Sequence, residues 1–206
     1  MRRYNRFKKA IIVTIVGLSP ALGWAGDNQG HDTGFTVWGV FINNPGYCAA
    51  APCTEDEVFA AGNPAGTDVC FVTGGRVQAN GRATFGGHFA EGSNFQCIYS
   101  QLGLVSAEDS EIHFVLQRHG KIRKDIRTDQ VTEFLGGCPP SDCLDVHFAI
   151  HVATGDHETV SNVHRFKNGS MVKRASSTLR RWPGDGFKVA IDTRFNKRKD
   201  HYVPAP

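Results

Sequence analysis

The sequence predicts an all-β fold: an antiparallel β-sandwich or barrel with one short helix, held by disulfide bridges. Short segments rich in β-branched and aromatic residues alternate with glycine-containing turns over most of the chain. Two later segments alternate apolar and polar residues with a period of two, as half-buried strands do. Of the 206 residues, 40% are hydrophobic and 21% are charged. That composition excludes wholesale disorder and a polytopic membrane protein.

The first 25 residues predict an export signal. Five basic residues and no acidic one occur there, and an apolar stretch at 10–22 follows. Gly23 and Ala25 are the small residues expected before a cleavage site, so we place the cut after Ala25. A membrane anchor is the alternative, but it needs about 20 unbroken apolar residues and Pro20 interrupts this run. We expect a periplasmic or secreted mature protein without a membrane span.

All six cysteines lie after this segment, and in an oxidising compartment they are expected to form disulfides. Two Cys-x4-Cys pairs occupy loops rich in proline, alanine and glycine, so local pairing is the simplest expectation. The predicted bridges are Cys48–Cys53, Cys138–Cys143 and, from the remaining two, Cys70–Cys97. A zinc site formed by the two Cys-x4-Cys pairs is the alternative, although it lacks the usual two-residue spacing.

The first half of the chain predicts three strands and the helix. Residues 34–43 form an apolar strand ending in an Asn-Asn-Pro-Gly turn. Thr54 and Glu57 form a capping box before a short helix that stops at Gly62. Strands at 68–78 and 82–89 flank Asn80-Gly81, which is a strong hairpin signal.

Further strands are expected at 97–104, 111–119, 131–135 and 145–152. Alternation in the second of these places Ile112, Phe114 and Leu116 inside, with Glu111, His113, Val115, Gln117 and His119 on the other face. In the last strand, Val146, Phe148 and Ile150 are expected inside, and Asp145, His147, Ala149 and His151 outside. The predicted core also includes Phe35, Val37, Phe41, Phe71, Val77 and Phe85.

Charge divides the chain after these strands. Residues 26–153 carry seven basic and fifteen acidic residues, a net charge of −8, whereas residues 154–206 carry eleven basic and five acidic residues, a net of +6. The last segment has no cysteine and only one expected strand, at 187–191. We therefore expect a β-sandwich domain at 26–153 and a basic, partly disordered C-terminal extension at 154–206. Such an extension binds anionic polymers or lies on the acidic body of the same protein.

Histidines are the one unusual concentration in the sequence of residues that could bind a metal or take part in catalysis. No nucleophile elbow, phosphate-binding loop, zincin helix or dinucleotide fingerprint occurs in the sequence. Imidazoles on neighbouring strands can converge on Zn²⁺ or Cu²⁺. Since residues four apart on one strand are about 13 Å apart, such a site takes one histidine from each strand. The expected ligands are His113 and His147, joined by His88 or Glu111; the alternative is solvated surface histidines.

Residues 107–120 (AEDSEIHFVLQRHG) and the cysteine-rich loop before DVHFAIHVA resemble a group of exported bacterial β-sandwich proteins. More distantly, the EIH strand with its His-Gly turn is similar to the secreted CHRD domain, whose sandwich is thought to be related to copper–zinc superoxide dismutase. The resemblance covers at most residues 34–152 and implies a β-sandwich. CHRD domains favour His-x-His on this strand, where Glu111 takes the first position. The dismutase ligand set is not recognisable, so that activity is not implied.

These observations predict an exported, non-catalytic β-sandwich module that binds an extracellular or envelope component, with nucleic acid not expected as a partner. The absence of a catalytic signature favours this role over an enzyme. The alternative function is a histidine-based copper- or zinc-binding protein, with redox or dismutase-like chemistry.

Overall fold

The computed structural model describes residues 33–60, 62, 64–77, 81–137, 144–152, 159–165, 172–182 and 184–195. Two four-stranded antiparallel sheets make up the fold, which confirms the predicted class. No helix in these ranges is long and apolar enough to cross a membrane. The elements are β1 (Thr33–Ile42), α1 (Glu55–Val58), β2 (Thr67–Arg76), β3 (Arg82–Ala90), β4 (Glu111–Lys121), α2 (Asp129–Thr132), β5 (Leu144–His151), β6 (Thr159–Arg165), β7 (Val172–Trp182) and β8 (Gly186–Phe195).

The strand order is β2-β1-β4-β5 in the first sheet and β3-β8-β7-β6 in the second. At the two sides of the sandwich, β2 lies against β3 and β5 lies against β6. Asn80 and the two residues before it lie outside the described residues. The strands flanking Asn80-Gly81 exist, but β2 pairs with β1 and β3 pairs with β8. The predicted hairpin ladder is therefore wrong: the chain passes from one sheet to the other at this point.

The main core lies between the sheets. Phe41 and Phe89 have ring centroids 4.8 Å apart, and Phe114 meets Phe187 edge to face at 6.0 Å. Burying one such side chain contributes about 1.5–3 kcal/mol. Most predicted core residues are confirmed as buried here: Phe35, Val37, Phe41, Val77, Phe85, Ile112, Phe114 and Leu116.

A second apolar cluster covers the outer face of the first sheet. Trp38, Val40 and Ile42 of β1 pack there with Val58 of α1 and Val69 of β2. Phe71, predicted for the core, is half-buried against this cluster. All ten residues of β1 are consequently buried. Antiparallel sheets commonly leave one face in water, and here both faces of the first sheet are covered.

The C-terminal part of the chain belongs to the sandwich. Strands β6, β7 and β8 supply three of the four strands of the second sheet, so the domain boundary expected at residue 153 is corrected. Leu179, Phe187, Val189 and Ile191 alternate with polar residues and fill the core from this side. The basic residues between them dominated the composition and concealed this alternation.

Arg181 is the one charged side chain of this segment that is described as fully buried. Its guanidinium donates hydrogen bonds to the carbonyls of Ala107, Ser110 (2.8 Å), His151 (3.2 Å) and Val152 (3.1 Å). Burial lowers the pKa of Arg181 to about 10, partly opposed by the charge of Asp109. Still cationic at neutral pH, Arg181 ties β7 to the β3–β4 connection and to the end of β5.

Two predicted strands are absent at their expected positions. Residues 97–104 form an irregular loop with a single bridge between Cys97 and Cys70. The segment expected as a strand at 131–135 begins in α2, where Glu133 N–H donates to the Asp129 carbonyl at 2.9 Å. This helical bond satisfies the backbone locally, and five residues were too few for periodicity to distinguish the two states.

Candidate ligand pocket on the first sheet

Glu111 and His113 lie together on the outer face of β4. Both are buried, with 1% and 4% of their surface exposed. His113 Nε2 and Glu111 Oε1 are 2.5 Å apart, and the same carboxylate oxygen accepts the Cys53 N–H at 2.9 Å. Because a carboxylate accepts, His113 carries its proton on Nε2. The pair is therefore oriented by its own hydrogen bond and by the chain that precedes α1.

The other expected metal ligands lie elsewhere. His88 is exposed on the outer face of β3 in the second sheet, with Nε2 3.9 Å from Asp185 Oδ1. Since packed sheets are about 10 Å apart, the sandwich separates His88 from His113. His147 pairs in register with Val115, whereas His113 pairs with Ile150; the side chain of His147 lies outside the described residues. The structure thus groups Glu111 with His113 and removes His88 from the set.

One other group of metal-binding residue types converges in the described part of the chain: Asp68, Cys70 and Cys97. The two sulfurs are joined in a disulfide, so they are not thiolate ligands. The bridges Cys48–Cys53 and Cys70–Cys97 confirm two of the three predicted pairings. Cys138 and Cys143 lie outside the described residues.

A cavity of about 450 Å³ opens on the outer face of the first sheet, and His113 is one of its lining residues. Small-molecule sites typically have volumes of about 300–1,000 Å³ and mainly apolar walls. Here two polar side chains, Glu55 and His113, face nine apolar or aromatic ones. The apolar lining residues are Trp38, Val40, Val58, Phe59, Val69, Ile98, Tyr99, Val115 and Phe134.

The first wall of this pocket is the segment around α1. The predicted capping box is confirmed, because the Glu57 carboxylate accepts the Thr54 N–H at 2.9 Å and its hydroxyl at 2.8 Å. The Ala49 N–H also donates to Glu57, at 2.7 Å. The backbone bond from Thr54, then that from Ala49, lower the pKa of Glu57. Together with the Cys48–Cys53 bridge, these bonds hold the segment that carries Val58 and Phe59.

The second wall is the loop that contains Ile98 and Tyr99. Asp68 is fully buried beneath it and accepts the N–H groups of Tyr99 (3.2 Å), Ser100 (3.1 Å) and Gly103 (2.7 Å). The Cys70–Cys97 bridge fastens the start of the loop to β2. Such a bridge over a separation of 27 residues restricts the unfolded chain by about 3–4 kcal/mol. The loop is thus set in place before any ligand arrives.

A buried polar chain positions Trp38 in the floor. His119 Nδ1 lies 3.0 Å from the Gly136 carbonyl and must donate to it. Burial lowers the pKa of His119, against the opposing effect of that bond. The neutral ring then accepts the Thr36 hydroxyl at Nε2 (2.7 Å), and Thr36 Oγ1 accepts the Trp38 indole N–H (2.8 Å).

Sequence reasoning placed His113 and His119 on one face of β4, which the structure confirms, but it treated that face as wet or metal-binding. Trp38, Tyr99 and Phe134 were missed as pocket residues. The signal available for Trp38 was its parity in β1, opposite to that of Phe35, Val37 and Phe41. A second apolar row on a strand indicates that the other face is also covered.

The orientation of His151 corrects the predicted faces of β5. The ladder pairs Phe114 with Ala149 but Val115 with His147, so Phe148 is an extra residue on β5. Such a bulge inverts the alternation beyond it. Ala149 and His151 consequently point inward: the His151 ring meets Phe114 at 5.6 Å and bonds the Ser177 hydroxyl at 2.7 Å. Ile150, expected in the core, is half-buried instead.

The geometry therefore provides an apolar enclosure that contains His113, which is bonded to Glu111. Apolar walls desolvate the body of a small molecule. Comparison with protein-family models, curated proteins and solved structures finds no match to the chain.

Proposed function

We propose that the protein is an exported, non-catalytic binding module that holds a small, mainly apolar ligand in the pocket on the first sheet. The observation that carries this function is the 450 Å³ cavity whose walls are fastened by two disulfides and two buried or capping carboxylates. Walls fixed in advance lower the entropy cost of binding.

The lining determines the chemistry of the ligand. Trp38, Tyr99 and Phe134 offer aromatic surface, and the Trp38 ring is fixed edge to face against Phe71 (5.7 Å) and Phe134 (5.0 Å). Glu55 is exposed at the pocket, and Glu111 is bonded to His113, which lines it. These two carboxylates disfavour an anionic ligand. We expect a neutral or cationic molecule with an aromatic or aliphatic body.

Export is part of this proposal. The leader expected at 1–25 lies outside the described residues. Two formed disulfides are typical of an oxidising compartment, in agreement with release into the periplasm or the medium after cleavage behind Ala25.

The Glu111–His113 contact favours the pocket over the metal alternative. His113 Nε2 and Glu111 Oε1 bond to each other at 2.5 Å, so a metal at these atoms must first separate them. Of the expected ligands whose side chains are described, Glu111 and His113 lie together and His88 lies on the other sheet, whereas four-coordinate sites need three or four protein ligands.

A neutral fluorescent probe, N-phenyl-1-naphthylamine, tests this function. We expect saturable one-to-one binding by the mature protein at micromolar concentration. In a Trp182→Phe variant, Trp38 is the sole tryptophan after residue 25, so quenching of its emission as the probe binds reports occupancy of this pocket.

Val115→Phe is the variant designed to block probe binding, because Val115 lines the cavity and a phenyl ring at this position would fill it. We expect its Kd for the probe to rise at least tenfold, which corresponds to about 1.4 kcal/mol. Val105→Phe is the control, since Val105 is 59% exposed and lies outside the pocket lining. Absence of saturable binding, or equal Kd values for the two variants, would contradict the proposal.

A further inference from the structure

Two pairs of aromatic rings line the pocket on the first sheet. The outer pair is Phe59 and Tyr99, whose ring centroids are 5.5 Å apart with an angle of 84° between the ring planes. The inner pair is Trp38 and Phe134, at a distance of 5.0 Å and again an angle of 84°. Two rings at right angles form a corner that is bounded by the faces of both rings. The lining of this one cavity thus includes two such corners.

The outer pair connects the two walls of the pocket. Phe59 follows α1, and Tyr99 belongs to the loop that the Cys70–Cys97 bridge fastens to β2. The Tyr99 hydroxyl donates a hydrogen bond of 3.2 Å to the Phe59 carbonyl. These two residues are 42% and 49% exposed, whereas Trp38 is buried. The outer pair therefore lies on the side of the pocket that is open to solvent, and Trp38 lies on the enclosed side.

The electrostatics of this lining favour a cation. The faces of aromatic rings carry partial negative charge and attract a cation within about 6 Å of the ring centroid. Glu55 adds a carboxylate to the lining, and the carboxylate of Glu111 offsets any positive charge on His113. No lysine or arginine occurs among the described residues that line the cavity. The lining as a whole therefore attracts a positively charged group.

The scarcity of hydrogen-bond acceptors favours a quaternary ammonium over a primary one. A primary ammonium has three N–H donors, and burying donors without acceptors is unfavourable. Apart from Glu55, which is exposed, and His113, the lining side chains are apolar or aromatic. A quaternary ammonium has no N–H group, and its charge is spread over alkyl groups that pack against apolar walls. Aromatic residues surround such groups in the known sites that recognise them.

We propose that the pocket binds a molecule with a quaternary ammonium group, whose methyl groups lie against the two aromatic pairs and whose charge is balanced by Glu55. This inference rests on the proposed function, because it names the ligand class of that same pocket. A cavity of about 450 Å³ has room for more than a trimethylammonium group. The remainder of the ligand is therefore an uncharged body that fills the apolar part of the cavity.

Choline and 3,3-dimethylbutan-1-ol are the probes for this ligand class, because they share one shape and differ in the charge of a single central atom. Titration calorimetry with the mature protein at neutral pH gives both Kd values. We expect choline to bind at least tenfold more tightly than the neutral alcohol. Ethanolamine, the primary ammonium counterpart of choline, should bind at least tenfold more weakly than choline.

Phe59→Leu removes one ring of the outer pair and keeps an apolar side chain. Its readout is the selectivity ratio, which is the Kd for the alcohol divided by the Kd for choline. We expect Phe59→Leu to lower this ratio at least threefold. Phe95→Leu is the matched control, since Phe95 is 66% exposed in the same β3–β4 connection as Tyr99 and lies outside the pocket lining. The control should leave the ratio unchanged.

Glu55→Gln removes the carboxylate of the lining, and we expect its Kd for choline to rise at least threefold. Asp56→Asn is the charge-matched control, because Asp56 is the next residue along α1, is exposed and lies outside the lining. We expect that control to change the Kd less than twofold. Equal losses in the two variants would show attraction by net charge alone and would contradict the proposal.

Three further results would overturn the proposal. Equal Kd values for choline and the neutral alcohol would show that the pocket does not recognise charge. Equal Kd values for choline and ethanolamine would assign the pocket to primary ammonium groups. Lack of choline binding by a protein that binds N-phenyl-1-naphthylamine would refute the ligand class and leave the proposed function intact. If neither molecule binds, the proposed function is contradicted as well.

Discussion

The two sheets share one core but differ on their outer faces. The outer face of the first sheet lies beneath α1, α2 and the two loops that are held by the Cys48–Cys53 and Cys70–Cys97 bridges. Even Gln117 and His119 on this face are 1% exposed. On the second sheet, His88, Arg180, Lys188 and Arg194 are exposed. One antiparallel sheet thus has two buried faces, and the other has the usual single buried face.

Charge follows the same division. The strands of the first sheet come from residues 26–153, which have a net charge of −8, whereas three strands of the second come from residues 154–206, with a net of +6. Covering a second face requires extra chain, and this extra chain forms the walls of a cavity. The uncovered face carries its charges in water.

The largest effect is expected within one strand of the second sheet, where Arg181 points inward and Arg180 outward. Arg181→Met leaves the carbonyls of Ala107, Ser110 and His151 without their donor. Because unsatisfied buried groups cost about 1–3 kcal/mol each, we expect a loss of about 3 kcal/mol or more in the free energy of unfolding. Urea denaturation measures it.

Arg180→Met is the matched control for that experiment. Its guanidinium is exposed and contacts Trp182 at 5.3 Å. Losing such a surface contact costs less than about 1 kcal/mol. If the two variants are equally stable, the buried guanidinium does not hold the sheets together.

A smaller effect is expected in the pH dependence of folding stability, for which His119 is compared with His88. Burial lowers the folded-state pKa of His119, so the unfolded state binds the proton more readily. Stability from this group is therefore complete above the unfolded pKa of about 6.5 and is lost as pH falls from there toward the folded pKa. We expect the urea concentration at the wild-type unfolding midpoint to decrease as the pH is lowered from 7.5 to 5.

His119→Gln should flatten that decline, and His88→Gln is the control for the same replacement at an exposed position. The slope with pH is the readout, since His119→Gln also lowers stability at every pH by breaking its bond to Gly136. A slope unchanged in His119→Gln would refute the buried neutral imidazole.

Local signals in the sequence predicted the local structure well. The Thr54–Glu57 capping box, the Cys48–Cys53 bridge and the inward face of Ile112, Phe114 and Leu116 are all present. Each depends on residues within a few positions of one another.

Long-range features were not predictable in the same way. Alternation cannot show that a polar row such as Glu111, His113 and Gln117 will be covered by loops from elsewhere. The bulge at Phe148 inverts the face of His151 through pairing with β4, which β5 does not encode alone. In β7 and β8, the charge of one face outweighed the apolar signal of the other.

Histidine acylation by diethylpyrocarbonate tests the contrast between the two outer faces most directly. The reagent modifies accessible neutral imidazoles, and peptide mass spectrometry locates each product. In the native protein, His88, whose side chain is 41% exposed, should react at least tenfold faster than His119, which is 1% exposed. In urea the two should react at similar rates. Equal rates in the native protein would show that the outer face of the first sheet is open to solvent, and would contradict the account.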